Sequence, residues 1–199
     1  MGERGYYLYK NGEKVYLEEG ITVLGEVLKN PDDDNIVEIF IPSSVRMIMD
    51  YAFAGCASLQ SVKIESGSML NYINECAFWN CSSLKKIEFE NAVHLKWIGE
   101  KAFVGTALES IDLSCCCAYL GRSAFEDCSA LEVVKYSNIG VVPTRCFMHC
   151  KNLLKIKALH LYVLEEMAFG DCGSLTKVEI TCYEGVHDGG FNDHFTRCL

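Results

Sequence analysis

Apolar and polar positions along the chain follow one pattern that recurs six times. Its anchor is a phenylalanine, which returns after 25, 25, 22, 22 and 22 residues, at Phe53, Phe78, Phe103, Phe125, Phe147 and Phe169. An aliphatic residue stands five positions before each of them: Ile48, Ile73, Ile98, Leu120, Val142 and Leu164. A repeat of this length is typical of a solenoid, in which each unit forms one coil and neighbouring coils bury a continuous core.

A second apolar phrase follows each phenylalanine, and its first copy is Leu59, Val62 and Ile64. The alternation at its end predicts a half-buried strand, so each coil contributes one strand to a parallel sheet. The inner side chains of that sheet are expected to meet a helical or 3₁₀ turn around the phenylalanine. The change from 25 to 22 residues falls between the strand and the next aliphatic. The sheet face is therefore predicted to be uniform and the opposite edge to vary.

Three stretches of this pattern resemble the repeat phrase of the BspA-type leucine-rich repeat: residues 41–48 (IPSSVRMI), 81–87 (CSSLKKI) and 98–103 (IGEKAF). The resemblance covers residues 36–181, and the departures Thr106, Cys146 and Pro143 leave the register intact. It implies an α/β solenoid, a right-handed superhelix of about six coils. Such a fold has a parallel sheet on one face and short helical or 3₁₀ turns inside each coil.

The flanks of the repeats are expected to cover the ends of the stack. Residues 1–35 are predicted to form an N-terminal cap, residues 36–181 the repeats, and residues 182–199 a C-terminal cap or tail. Within the first flank, Asn11 and Gly12 predict the turn of a hairpin between Tyr6–Tyr9 and Lys14–Leu17. A sheet edge or stack end left uncovered would offer a surface for a homodimer.

Charge and hydropathy narrow the possible partners. The 199 residues include 18 Lys and Arg against 27 Asp and Glu, for a net charge of −9, which argues against nucleic acid as a partner. No apolar run reaches the roughly 18 residues of a membrane span, and residues 1–7 lack a signal-peptide layout. The sequence therefore predicts a cytoplasmic protein if the chain is complete, and a surface or secreted one if a leader was removed.

The twelve cysteines follow the repeat rather than a disulfide framework. Five of them occupy the same slot, three residues after a phenylalanine: Cys56, Cys81, Cys128, Cys150 and Cys172. This slot is predicted to be interior, where a thiol behaves as a small apolar group. The run Cys115–Cys117 follows a strand and has no spaced partner pair for zinc, so an exposed, redox-sensitive thiol is expected there instead.

The chain shows no catalytic signature and no phosphate-binding loop, so it is predicted not to be an enzyme and to need no cofactor. His149 precedes Cys150 and could activate it, but its slot in other coils holds turn residues, so a solvated turn is predicted. The tail offers weak candidates for a metal site at His187, Asp188, Asp193 and His194. A small metal-dependent factor or enzyme using this tail, or a structural assembly protein, remains the alternative function.

The outward side of the predicted sheet is the candidate binding surface. It carries charged residues and two apolar ones, and the lysines concentrate in its second half. A charged field with a few apolar anchors is typical of a protein-binding face. The predicted function is therefore a noncatalytic interaction module that binds a protein or glycan, and the resemblance to the BspA-type repeat implies a role in adhesion. The predicted face residues are Lys63, Lys86, Glu88, Asp112, Val133, Lys135, Lys155, Lys157, Leu159, Lys177 and Glu179.

Overall fold

A computed structural model describes residues 8–11, 14–17, 20–25, 36–136, 140–159 and 163–181. Its strands are β1 Leu8–Asn11, β2 Lys14–Leu17, β3 Val23–Leu24, β4 Glu38–Ile41, β5 Met47–Ile48, β6 Ser61–Ile64, β7 Tyr72–Ile73, β8 Lys86–Ile87, β9 Trp97–Ile98, β10 Ser110–Leu113, β11 Tyr119–Leu120, β12 Val133–Tyr136, β13 Val141–Val142, β14 Lys155–Leu159, β15 Val163–Leu164 and β16 Lys177–Thr181. One 3₁₀ helix, Phe89–Asn91, lies within these ranges. None of the described helices is long and apolar enough to cross a membrane.

Each coil contributes to two parallel sheets rather than one. The long strands pair in the order β1-β2-β4-β6-β8 and, after a break, β10-β12-β14-β16. The two-residue strands pair as β3-β5-β7-β9-β11 and β13-β15. Consecutive coils are therefore neighbours throughout, and the solenoid predicted from the repeat is confirmed. The second sheet was not predicted, because a two-residue strand is too short to show a period in the sequence.

The core is a column of phenylalanine rings. The ring of Phe125 stacks on that of Phe103 with centroids 5.2 Å apart and on that of Phe147 at 5.5 Å. All six repeat phenylalanines are at most 1% exposed. The aliphatic position beside them is buried in five coils and only half-buried in the sixth, at Leu164. This spacing agrees with the ~4.8 Å separation of hydrogen-bonded strands, so ring contact and sheet pairing reinforce each other.

The segments around the repeat phenylalanines are turns, as predicted, but none of them forms a regular helical or 3₁₀ segment. The residues two positions before and two positions after each phenylalanine have positive φ, as at Ser123 (55°) and Asp127 (59°) around Phe125. A left-handed residue on either side prevents a right-handed helical turn from propagating. The N–H groups of Ser123, Phe125 and Asp127 instead donate to carbonyls of the following coil, at 3.0, 2.8 and 2.9 Å.

The long-strand sheet is interrupted, so the uniform face predicted from the sequence was also wrong. Strand β8 ends at Ile87, and Phe89–Asn91 turns into a 3₁₀ helix where other coils continue the strand. The Phe89 ring packs edge-on against Phe103, with centroids 6.2 Å apart. The Asn91 side chain donates to the Ile64 carbonyl at 2.9 Å, so it satisfies a strand acceptor that β8 leaves unpaired.

The hairpin predicted near the N-terminus is confirmed with shifted bounds. β1 and β2 pair antiparallel with Asn11 opposite Lys14, so Asn11 ends a strand rather than beginning the turn. β2 then pairs parallel with β4, with Val15 opposite Ile39, which places the hairpin at the edge of the long-strand sheet. Residues 12–13 lie outside the described ranges.

Candidate functional site

The outward positions of the second half of the long-strand sheet form two rows across β10, β12, β14 and β16. Strand register aligns one row as Ser110, Val133, Lys155 and Lys177, and the other as Asp112, Lys135, Lys157 and Glu179. We call these eight residues the basic face. Parallel pairing places neighbours in each row about 4.8 Å apart, so their side chains share one surface. Leu159 lies at the end of β14, and its side chain is outside the described part.

Most charges of the basic face are paired. The Lys135 ammonium contacts the Asp112 carboxylate at 3.0 Å, although half of each side chain is exposed. Burial alone would raise the pKa of Asp112, but hydrogen bonds from Ser114 and Lys135 outweigh it and lower that pKa. Exposed pairs of this kind add little stability, so they leave the lysines available to a partner.

Glu179 collects two of the lysines. Its carboxylate contacts Lys177, two residues earlier on the same strand β16, at 2.7 Å. It also contacts Lys155, on the neighbouring strand β14, at 3.0 Å. Hydrogen bonds from Lys177 first, and then from Lys155, lower the pKa of Glu179 to about 2. The carboxylate is therefore ionised under all ordinary conditions, and one negative charge serves two positive ones.

Lys157 is the exception on the basic face. It is exposed and makes no ion pair with any residue in the described part of the chain. Register places it between Lys135 on one side and Glu179 on the other. Because Glu179 is already shared by Lys155 and Lys177, the positive charge of Lys157 is left uncompensated.

The first half of the sheet is more acidic. Lys63 contacts Glu38 at 2.6 Å and lies 5.0 Å from the centre of the Phe40 ring. Lys86 contacts Glu88 at 2.8 Å, and the hydrogen bond with Glu88 raises the pKa of Lys86. The interruption after β8 separates these residues from the basic face, so the predicted site residues do not form one continuous strip.

Sequence reasoning missed an apolar surface on the second sheet. In the second sheet the first residue of each strand points outward and is apolar, and register aligns these residues from Val23 to Tyr119 and, after the break, at Val141 and Val163. Tyr119 is 72% exposed and Trp97 is 41% exposed. The signal was present, because the residue before each buried aliphatic is never polar. We call this row the apolar stripe, and it consists of Val23, Met47, Tyr72, Trp97, Tyr119, Val141 and Val163.

The cysteine ladder is interior, as predicted, although Cys56 at its start is only half-buried. The ten cysteines of the described ranges are all thiols. Burial raises the pKa of Cys128 to about 12, which disfavours the reactive thiolate. In the Cys115–Cys117 run only Cys117 is exposed, and the Cys115 thiol donates to the Phe89 carbonyl at 3.0 Å.

His149 lies in a turn, as predicted, and does not contact the Cys150 thiol. Its ring contacts two carboxylates from neighbouring coils, with Nδ1 2.9 Å from Asp127 and Nε2 3.1 Å from Asp171. The Cys150 thiol points the other way and donates to the Phe125 carbonyl. The metal-site candidates of the tail, at residues 187–194, lie outside the described residues.

Comparisons with known proteins agree with this architecture. Residues 32–154 and 140–188 match the family model of the BspA type leucine rich repeat region, in six copies. A search of curated proteins finds no match.

Two solved structures share the fold. A leucine-rich repeat protein of T. pallidum is 22% identical, with a TM-score of 0.68, over 88% of this chain and 90% of the other. One from Eubacterium ventriosum is 19% identical, with a TM-score of 0.52, over 84% of this chain and 54% of the other. The repeat register, the stacked phenylalanines and the match to the family model together establish that this chain belongs to the BspA-type leucine-rich repeat family.

Proposed function

We propose that this protein is a noncatalytic interaction module whose basic face binds a protein or glycan that carries acidic groups. The observation that supports this most directly is the uncompensated charge of Lys157 at the centre of the face. The face holds four lysines and two carboxylates, a net of +2 on a chain whose net charge is −9. A local field opposite to that of the whole molecule favours one orientation of an approaching partner.

The surroundings of Lys157 suit a binding site. Val133 on β12 is half-buried and gives the face a small apolar anchor beside the charges. Paired lysines can exchange their intramolecular carboxylate for one on a partner at little cost, because exposed ion pairs are weak. Repeat proteins of this family typically serve as interaction or adhesion modules, which agrees with a binding role and does not specify the partner.

The test is an affinity capture from native extract that compares the wild-type chain with a Lys135→Glu, Lys157→Glu variant. A matched control, Lys96→Glu with Arg122→Glu, makes the same change in charge on exposed residues away from the basic face. We expect partners to be lost from the first variant and kept by the control. Association should also slow as ionic strength rises, because salt screens charge steering.

Three outcomes would contradict the proposal. Partners retained by the Lys135→Glu, Lys157→Glu variant would exclude the basic face. Equal loss from both variants would indicate a general charge effect. Loss only from a third variant, Trp97→Ser with Tyr119→Ser, would place binding on the apolar stripe instead. Thermal unfolding of each variant confirms that the fold is intact before binding is compared.

A further inference from the structure

The slot two residues after each phenylalanine forms a ladder of side chains along the turn edge of the solenoid. It holds Asp127, His149 and Asp171 in the last three coils. Backbone hydrogen bonds fix their relative positions, since the Asp127 N–H donates to the Met148 carbonyl at 2.9 Å and the His149 N–H to the Gly170 carbonyl at 2.7 Å. The three side chains therefore lie one above another along the turn edge, outside the core.

The imidazole of His149 is held between two carboxylates. Its Nδ1 lies 2.9 Å from Asp127 Oδ1, and its Nε2 lies 3.1 Å from Asp171 Oδ2. Glu126 joins this cluster, because one ligand atom each of Glu126, Asp127 and His149 lie within 4.8 Å of one another. A neutral imidazole has one N–H to donate and one lone pair, so only one of its two carboxylate contacts can be a hydrogen bond.

We propose that Glu126, Asp127 and His149 bind a divalent transition-metal ion of the Zn²⁺ class. His149 would ligate through Nδ1, with Asp127 and Glu126 each supplying a carboxylate oxygen. Zinc binds imidazole nitrogen and carboxylate oxygen at about 2.0–2.2 Å, which in a tetrahedral site places adjacent ligand atoms roughly 3.3–3.6 Å apart. His149 Nδ1 and Asp127 Oδ1 are 2.9 Å apart, so the two side chains need to separate by only about half an ångström to admit the ion.

Asp171 completes the arrangement from the opposite side of the ring. When Nδ1 binds metal, the remaining proton of His149 is on Nε2, and Asp171 is placed to accept it. A ligating histidine commonly donates its other N–H to a carboxylate, which fixes the tautomer and raises the basicity of the ligand. With metal bound, both ring nitrogens have a partner: Nδ1 binds the ion and the Nε2 proton is donated to Asp171. In the metal-free neutral ring, only one of the two nitrogens can donate to a carboxylate.

An imidazole in the ligand set selects the class of metal. Carboxylate oxygens alone would suit Mg²⁺ or Ca²⁺, but a nitrogen ligand favours Zn²⁺, Ni²⁺ or Cu²⁺. Two of the three ligands, Asp127 and His149, line an open depression of about 500 Å³ together with Lys151, Asp171 and Gly173, which leaves room for water or a partner's ligand in the fourth position. Lys151 is the one cation in this lining, and its charge opposes metal binding.

The experiment is a calorimetric titration of the full chain with ZnCl₂ near neutral pH. His149→Asn is the central variant, because Asn80 occupies the same left-handed slot in another coil and the backbone should be unaffected. We expect His149→Asn and Asp127→Asn each to lose one equivalent of zinc. Asp171→Asn should weaken that equivalent roughly 10- to 100-fold, as loss of a supporting partner does. Lys151→Gln should tighten it.

Controls separate this site from the other zinc-binding groups of the chain. Cys117→Ser removes the one exposed thiol among the described residues, and His187→Asn with His194→Asn removes the tail histidines. Both should retain the equivalent that His149→Asn loses. The proposal is overturned if wild type takes up no zinc, if His149→Asn leaves uptake unchanged, or if either control loses the same equivalent.

Discussion

The thiol of Cys150 donates a hydrogen bond to the backbone carbonyl of Phe125, one coil earlier, across 3.2 Å. The same contact recurs along the ladder, with Cys128 on Phe103 at 3.2 Å and Cys172 on Phe147 at 3.0 Å. The slot therefore joins consecutive coils as well as filling the core. At Thr106, where the cysteine is replaced, the hydroxyl donates within its own coil to Phe103 at 3.0 Å.

Cys150→Ala should destabilise the protein by about 1–3 kcal/mol. The substitution removes a buried hydrogen bond worth roughly 1 kcal/mol and leaves a small cavity where the sulfur was. Chemical unfolding in urea under reducing conditions measures the change. Cys117→Ala, at an exposed site, is the matched control and should stay within about 0.5 kcal/mol. Equal effects at the two sites would contradict a structural role for the ladder.

Phe125→Ala should cost about 3–5 kcal/mol, because it removes a ring from the middle of the column. Phe125→Leu retains most of the buried area and loses the contacts with rings at 5.2 and 5.5 Å, so about 1–2 kcal/mol is expected. Tyr119→Ala truncates an aromatic that is 72% exposed and should change the free energy of unfolding little. A leucine variant as unstable as the alanine variant would show that the buried area that leucine retains contributes little, and would contradict the expected difference between the two.

Gly121→Ala should destabilise the fold by about 1–3 kcal/mol through overpacking. A β-carbon there would lie 2.5 Å from the Glu100 nitrogen and 2.6 Å from the Gly99 carbonyl carbon, both backbone atoms that cannot rotate away. At Gly173 a β-carbon would meet nothing within 4 Å. Gly173→Ala is therefore the control, and the difference between the two melting temperatures tests how closely the coils approach.

Glu179→Gln should reduce stability at neutral pH and remove part of the acid sensitivity. The pKa of Glu179 falls from its ordinary value of 4.5 to about 2 in the folded protein, so its ion pairs stabilise the fold above about pH 4.5. That contribution disappears as the pH falls from about 4.5 towards 2. Unfolding curves at a series of pH values should therefore converge for wild type and Glu179→Gln at the acid end.

A double-mutant cycle isolates the cause of this effect. With Lys155→Met and Lys177→Met in the background, Glu179→Gln should no longer change the pH dependence of stability. A pH-dependent difference that persists without the two lysines would assign the effect to another contact of Glu179.

The core could be predicted from the sequence because each coil buries apolar residues at the same positions of the repeat. Phe53 through Phe169 and the leucines that follow them could be placed from spacing alone. The interruption at Phe89 could not, because it depends on how that ring packs against Phe103 in the next coil. The turns around Phe125 were expected to be helical or 3₁₀, because no local pattern reports that Ser123 and Asp127 are left-handed and donate their N–H groups to carbonyls of the following coil.

The basic face and the surroundings of His149 were likewise predictable only in part, because some of their contacts depend on neighbouring coils. Alternation in the strands predicted that Lys135 and Lys157 share a face, and the register places them side by side. Glu179 pairs with two lysines, whereas Lys157 pairs with no carboxylate in the described part of the chain. This difference depends on the side-chain rotamers on neighbouring strands. His149 was expected to be solvated because the same slot in other coils holds residues typical of a turn, but its ring contacts Asp127 and Asp171, each 22 residues away in a neighbouring coil.

The backbone hydrogen bonds between successive turns also have a mechanical consequence. Because each coil is bonded mainly to its two neighbours, tension applied along the stack would be carried by all coil boundaries in series, and these would give way one at a time. A coil of 22 residues that detaches releases about 75 Å of extended chain, compared with the ~4.8 Å it occupies in the stack. We expect the protein to lengthen in discrete steps under pulling force, so that a load on one end is absorbed before the remaining coils are disturbed.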